Sequence, residues 1–251
     1  MHNTLTRVQN VFGFFTSVAF AVAAAIAVSV VLSAQAPSAS LELRNVQVVK
    51  GRPHYYSTKR EEYAHVTFDL DADLSTLFHW NTKQIFAYIT ASYLSPSPLD
   101  TPPSEAVIWD AVIWDAVIPA LNAPAHPNTY IHPSSTTARP KTKKERLAAQ
   151  KAFPPGKQPG ILKLSKQKPK YQITDVSGKI AGVGNATLVL RWNVQPWVGA
   201  LVWDNRRTVG RWQGLQGGEA AFEFPLLKGT EVKKEELKTA TGGERNRGSP
   251  A

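Results

Sequence analysis

The chain has 251 residues, of which 43% are hydrophobic, 10% aromatic and 19% charged. This composition excludes a wholly disordered chain and a disulfide-stabilised mini-protein, and the length suits one medium-sized domain with additional segments. Cysteine is absent. A disulfide framework, a thiol nucleophile and every thiolate metal site are therefore excluded as well.

The formal net charge is +10, and its position in the chain decides whether nucleic acid is a good candidate partner. Residues 139–170 contain eleven lysines and arginines against one acidic residue, Glu145, so this stretch carries the whole surplus. Its only aromatic residue is Phe153, which leaves little for base stacking. We interpret the stretch as a solvated linker in preference to a contact with nucleic acid or anionic lipid.

The N-terminal region predicts a membrane helix, because residues 8–41 carry no charged side chain. The apolar segment 11–34 would form a helix of about 36 Å, against roughly 30 Å of bilayer hydrocarbon. We predict a short N-terminal segment, residues 1–10, and a transmembrane signal-anchor helix over residues 11–36. The alternative is a cleaved secretory signal ending at Ala34-Gln35-Ala36, against which the length of the apolar run and Pro37 both count.

Small residues on this helix predict a packing face. Ala19, Ala23 and Ala27 recur every four residues, a spacing that allows another helix to approach closely. The orientation of the helix stays open, because Arg7 flanks one side and Arg44 and nearby bases flank the other.

After the helix the hydrophobic period changes to two, which is typical of strands with one buried face. Residues 64–70 alternate strictly, and the apolar residues of 41–48 alternate around a short irregularity. Residues 84–94, rich in β-branched and aromatic side chains, predict a strand buried on both faces. Residues 186–194 place four large apolar side chains on one face, and shorter strands are predicted at 171–176, 200–203, 208–212 and 220–225.

The predicted fold class is mainly β: one N-terminal transmembrane helix followed by a β-sandwich-like domain, residues 37–227. Within it, residues 119–170 are proline-rich, basic and poor in large apolar side chains, which predicts a disordered, low-complexity insertion. We expect its basic part, residues 139–170, to be dispensable. Residues 228–251 are predicted to be a disordered tail.

A five-residue duplication interrupts the pattern, since Ala-Val-Ile-Trp-Asp at 106–110 is repeated at 111–115. An odd repeat in a strand moves the core side chains to the opposite face. One copy must therefore bulge or loop out. We predict that residues 112–118 form the sheet strand and that residues 106–110 extend the preceding proline-rich loop.

Motifs for catalysis or for a metal are weak in this sequence. Asp69, Asp71 and Asp73 resemble the start of a calcium loop, but the glycine and the final glutamate of such a loop are missing. Asp73 is better interpreted as the cap of a short helical turn at 74–78. His54, His65 and His79 lack a ligand spacing, and no cofactor is predicted. A serine nucleophile with a lysine base stays open.

Three stretches resemble the third subunit of the eukaryotic signal peptidase complex. They are residues 1–10 leading into the anchor, residues 66–88 with Trp80-Asn-Thr-Lys-Gln-Ile-Phe86, and residues 185–196 with Asn185-Ala-Thr-Leu. Val112-Ile-Trp-Asp115 is similar to a further element of that family. The long basic insertion and the duplication depart from the family pattern.

The resemblance implies a single-pass type II protein of the endoplasmic reticulum membrane, with a cytosolic N-terminus and the bulk of the chain in the lumen. It implies a non-catalytic, glycosylated subunit that positions the catalytic subunit for signal-peptide cleavage during protein targeting. The implied partners are that subunit, the other subunits, membrane lipid and secretory preproteins, and not nucleic acid. Asn185 matches the glycosylated position. The residues with an implied structural role are Asp69, Asp73, Trp80, Asn81, Lys83, Gln84, Phe86, Trp114, Asp115, Trp192, Asn193 and Pro196.

Two other function classes stay open from the residues alone. The first is an independent membrane-anchored hydrolase with a Ser/Lys or Asp site, which would turn over a peptide or an ester by itself. The second is a nucleic-acid-binding protein that depends on residues 139–170.

Overall fold

In a computed structural model of the chain, residues 3–95, 103–115, 126–132, 157–204 and 207–227 are described. One helix, α1, is followed by strands that form two sheets. The elements are α1 Thr4–Leu32, β1 Ser38–Gly51, β2 Glu61–Asp73, a 3-10 turn Ser75–Leu77, β3 Thr82–Tyr93, β4 Ser104–Trp114, β5 Ile161–Gln167, β6 Ala186–Pro196, β7 Val202–Trp203, β8 Gln216–Gly217 and β9 Glu219–Phe222.

The two sheets pack through one hydrophobic core. The first has the strand order β5-β2-β1-β8, and the second has the order β4-β3-β6-β7, with β9 also paired to β6. Side chains from both inner faces meet in the core, where the rings of Phe68 and Trp109 lie edge to face at 6.3 Å. The predicted fold class, a mainly β domain behind an N-terminal apolar helix, is confirmed.

Helix α1 is long and apolar enough to cross a bilayer. Asn3 caps it by accepting from the Leu5 N–H at 3.2 Å. The helix begins inside the predicted N-terminal segment 1–10, and it ends at Leu32, four residues before the predicted limit of 36. Residues 33–37 are instead a connector, in which Gln35 forms a parallel bridge with Trp212.

Alternation of apolar residues is reproduced in β1, β2 and β6. Val66, Phe68 and Leu70 of β2 are fully buried or nearly so. The irregularity in β1 is a bulge at Arg44 between the pairs Leu43–Phe68 and Asn45–Thr67. Strand β3 differs from the prediction of two buried faces: its core face is sealed, whereas its other face is covered only in part.

The expectation that one copy bulges is confirmed, but the assignment of residues 106–110 to the preceding loop is wrong, because both copies belong to β4. Residues 116–118 of the predicted strand lie outside the described residues. Strand β4 pairs with β3 from Ser104 to Trp114 and absorbs the odd repeat in one bulge at Ile108. The second copy then turns Val112 and Trp114 away from the main core. They stay buried because residues 126–130 cover that face, with a parallel bridge between Val112 and Thr129.

Part of the predicted insertion 119–170 is ordered sheet. Strand β5 lies inside it and pairs with β2, and Leu162 is completely buried. The expectation that residues 139–170 are dispensable stays a prediction, and the position of β5 counts against it, since removal of these residues would take β5 out of its sheet. Residues 119–125, 133–156 and the predicted tail 228–251 lie outside the described residues.

Two short predicted strands are not strands. Residues 171–176 contribute only the isolated bridge of Ile173 to Ala64. Residues 208–212 form a tight turn closed by reciprocal backbone bonds between Val209 and Trp212. This turn is also hydrogen-bonded to the connector after α1.

Candidate functional site at the junction of helix and sheet

The residues Trp80 to Phe86 meet the end of β6 at the side of the sandwich nearest α1. Asn81 is 1% exposed. Its side chain donates to the Val198 carbonyl at 2.7 Å and accepts from the Val198 N–H at 3.0 Å. Its own carbonyl accepts from the Trp197 N–H at 2.8 Å. Asn81 thus fixes the loop after β6 through three hydrogen bonds.

Neighbouring motif residues make further contacts across the same two strands. Lys83 Nζ lies 5.3 Å from the centre of the Trp197 ring, which is a cation–π distance. The Gln84 side chain donates to Gln195 Oε1 at 2.7 Å. Trp80, which precedes Asn81, leaves 67% of its surface exposed.

The loop after β6 packs directly on α1 at Gly199. A Cβ built on Gly199 would lie 3.2 Å from the Ala27 Cβ, and Gly199 has φ of +120°. Both the close approach and the backbone conformation favour glycine here. Ala27 therefore packs against the chain's own loop, whereas Ala23 is half-buried and Ala19 is exposed. A role of these alanines in helix packing stays a prediction.

A second loop is bonded to the helix end. Arg211 Nη1 donates to the Leu32 carbonyl at 3.1 Å, and Trp212 Nε1 donates to the Ser33 carbonyl at 3.2 Å. The Gln35 N–H donates to the Arg211 carbonyl at 3.1 Å. Together with the Gly199 contact, these bonds join α1 to the sheet domain on two sides.

Asp69 and Asp73 lie on β2 and stabilise local structure. Asp69 accepts from Arg44 Nε at 2.6 Å and from the Lys166 N–H at 2.6 Å, and the pKa of Asp69 is lowered mainly by the Arg44 hydrogen bond. These bonds hold the β1 bulge and β5 to β2. Asp73 accepts from the N–H of Ser75, the first residue of the 3-10 turn, at 2.9 Å, although Leu74 occupies the cap position itself.

Phe86 and Trp114 belong to a small apolar cluster on the outer face of β3 and β4, together with Val112. Trp114 Nε1 donates to Thr129 Oγ1 at 3.1 Å. Asp115 continues the ladder, with its N–H donating to the Lys83 carbonyl at 3.0 Å.

The three motif residues of β6 lie in different surroundings. Trp192 is buried in the main core. Asn193 lies on the other face, paired with Phe86 and Trp203 in the ladder. Pro196 ends the strand opposite Thr82, beside the loop that contacts α1.

Asn185 is exposed at the residue before β6 and has φ of +54°. Asparagine tolerates this left-handed conformation better than most residues. Its occupancy by a glycan stays a prediction.

Sequence reasoning missed a buried polar cluster around Asp110, in the first copy of the duplication. Asp110 accepts from Asn128 Nδ2 at 2.6 Å and from Lys170 Nζ at 3.1 Å. Lys170 also lies 5.6 Å from the Trp109 ring centre. Tyr171 also donates to Asp110, at 3.3 Å. No sequence signal links these residues, because Asn128 and Lys170 come from the segment predicted to be disordered.

Two serine hydroxyls among the described residues stabilise turns. The hydroxyl of Ser75 donates to Asp73, and that of Ser177 donates to Asp175. His79 lies 3.0 Å from Thr82 Oγ1, and burial lowers the pKa of its imidazole. Within the described ranges, no group of three His, Asp or Glu residues is arranged to hold a metal ion.

Comparison with known proteins identifies the family. The family described as "Signal peptidase subunit" matches residues 1–131 and 154–213. "Signal peptidase complex subunit 3" of Yarrowia lipolytica is 30% identical over 237 residues, covering 90% of this chain and 100% of the relative. The proteins of the same name from Caenorhabditis briggsae and Saccharomyces cerevisiae are 36% and 28% identical, over 37% and 61% of this chain and 52% and 59% of their own lengths. The chain belongs to the signal peptidase subunit family.

Proposed function

We propose that this chain is a non-catalytic subunit of the signal peptidase complex of the endoplasmic reticulum, where it supports and positions the catalytic subunit. In this proposal it is a single-pass type II protein with its sheet domain in the lumen. Its partners are the catalytic subunit, the other subunits, membrane lipid and secretory preproteins. Family membership supports the complex, and the apolar helix fits a membrane protein.

The observation that carries the positioning role is the double attachment of the sheet domain to α1. One loop packs on Ala27, and the other bonds to Leu32 and Ser33. A domain held in this way keeps a set height and orientation relative to the membrane. Cleavage of a signal peptide needs such placement, since a shift of about 1 Å in reacting groups can cost roughly a hundredfold in rate.

Three serines of the described residues have turn-stabilising roles, which are compatible with a non-catalytic subunit. Ser177 and Ser95 both donate to Asp175, and Ser75 donates to Asp73. A hydrolytic site would instead present its nucleophile to a base and to solvent. In this proposal the proteolytic residues belong to another subunit.

Depletion of the chain followed by a preprotein-processing assay tests the proposal. We expect uncleaved secretory preproteins to accumulate and the wild-type chain to restore cleavage. Normal cleavage without the chain would refute the proposal. The purified chain in detergent is expected to leave peptide and ester substrates intact, and turnover there would favour the independent hydrolase.

A further inference from the structure

The loop after β6 lies beside the membrane helix and not beyond its end. Gly199 contacts Ala27, which is five residues before the helix terminus at Leu32. At about 1.5 Å per residue, the contact is about 8 Å inside the helix end. The last turns of an apolar helix that crosses a bilayer lie in the outer hydrocarbon and headgroup layers. The loop must therefore share that depth.

A second loop borders the same end of α1. The turn Val209–Trp212 is bonded to the helix through Arg211 and Trp212. Val209, at the start of this turn, is 64% exposed. Two loops of the sheet domain thus flank the helix where it leaves the apolar layer.

The exposed side chains of these loops have the composition of a membrane interface. We name this surface the helix collar, and it comprises Trp80, Trp197, Leu201 and Val209, with Lys83 and Arg211 as its basic members. All four apolar members are exposed, Trp197 and Leu201 to 44% and 43%. Tryptophan is enriched at the headgroup level, and basic side chains there extend their charge towards phosphate.

Backbone polarity also fits this location. A loop that enters the apolar edge of a bilayer must satisfy its own N–H and C=O groups, because lipid tails offer no partners. The Val198 N–H and C=O and the Trp197 N–H are all bonded to Asn81. The buried asparagine satisfies these three groups and so lowers the cost of placing this part of the loop next to lipid.

We infer that the helix collar is immersed in the phospholipid interface of the leaflet from which α1 emerges. The sheet domain then rests on the membrane, and its height does not depend on the helix alone. This matters because residues 8–41 carry no charge, so the helix by itself would not define one depth. The inference rests on the proposed function, which includes membrane lipid among the partners, and deepens it by naming the surface that contacts the lipid.

Site-directed spin labelling tests the inference, and the absence of native cysteine makes single labels possible. Nitroxide labels are placed at Val209→Cys and Leu201→Cys in the full chain, reconstituted in phosphatidylcholine vesicles. Val176→Cys is the matched control. Val176 is an exposed valine that lies near Glu61, where β2 begins. We expect a higher ratio of collisions with oxygen to collisions with a water-soluble nickel chelate at 209 and 201 than at 176.

Equal ratios at all three positions would overturn the inference. A second measurement separates lipid from a protein partner in the assembled complex. A photo-crosslinking amino acid at position 201 or 209 is expected to form lipid adducts in native membranes. Crosslinking of either position to another subunit would overturn the inference. Neither readout depends on preprotein cleavage, so failure of the proposed function would leave these results unchanged.

Discussion

At the scale of single residues, Asn81 carries the greatest structural consequence at the junction. Replacing it with alanine leaves the partly buried N–H and C=O of Val198 without their partners. We expect Asn81→Ala to lower the free energy of unfolding by about 1–3 kcal/mol, measured by chemical denaturation in detergent. Asn45→Ala, at an exposed position of β1, is the control and should change little. Equal effects of the two substitutions would contradict this role.

Asp175 makes the stability of the fold depend on pH. It accepts from Ser95 Oγ and the Ser177 N–H, each at 2.9 Å. Burial alone would raise the pKa of Asp175, but the hydrogen bonds from Ser177, Ser95 and Tyr93 outweigh burial and lower it. Because the folded pKa is below the unfolded value of about 3.9, the stabilisation is complete above that pH. It is lost as pH falls through the folded pKa.

Asp175→Asn is therefore expected to destabilise the chain at pH 7 by about 1–3 kcal/mol, through loss of charge-assisted hydrogen bonds. The difference from wild type should shrink below pH 3.9 as the aspartate becomes protonated. Denaturation curves at several pH values measure this convergence. A difference that is independent of pH would show that the carboxylate charge is not what stabilises the turn.

Asn185 reports on the side of the membrane that the sheet domain occupies. If the domain is luminal, the exposed Asn185-Ala-Thr sequon receives a glycan. We expect microsomal chain to shift in mobility on treatment with an endoglycosidase, and Asn185→Gln to remove the shift. Thr187→Ala, which keeps the asparagine but destroys the sequon, is the matched variant and should behave identically. An unmodified wild-type chain would argue against the luminal location.

At the scale of elements, β4 shows how a strand can contain an odd repeat. Ile108 in the first copy and Ile113 in the second are both completely buried. We expect Ile108→Ala and Ile113→Ala each to destabilise the fold by about 2–5 kcal/mol, measured by thermal or chemical unfolding. Val107→Ser, at a position 42% exposed, is the control. A silent substitution in either copy would show that this copy is not part of the core.

Whether a strand can be predicted from the sequence depends on which part of the chain buries it. Strands β1, β2 and β6 have one face on the core, so periodicity alone places them. The outer face of β4 is buried by residues 126–130, a remote segment that no local pattern connects with it. Strand β5 is short and rich in polar residues, and it is a strand because β2 offers it a partner edge. For these two strands, contacts between distant segments determine the structure, and local strand propensity does not.

At the scale of the whole molecule, the junction joins three distant parts of the sequence. The motif around Asn81, the end of β6 and the residues after α1 were each identified or bounded from the sequence. The sequence does not predict that these three parts meet. Their meeting depends on the close approach of Gly199 to Ala27 and on the hydrogen bond from the turn at Val209–Trp212 to Leu32. The predicted structural residues are split between this junction, the main core, the outer face of β3 and β4, and β2, so the resemblance alone does not define one site.

The attachment of helix to sheet leads to the final prediction, which rests on the proposed function. Inserting Gly-Ser-Gly between Ser33 and Ala34 would force apart bonds that one loop now makes to Ser33 and to Gln35. The helix and the sheets keep their own contacts, so we expect little change in the unfolding of the sheet domain. Preprotein cleavage should fall by about tenfold or more, since small misplacements of reacting groups are costly. The same insertion between Tyr55 and Tyr56, exposed in the turn before β2, should leave cleavage normal. Normal cleavage with the first insertion would show that this junction does not set the position of the catalytic subunit.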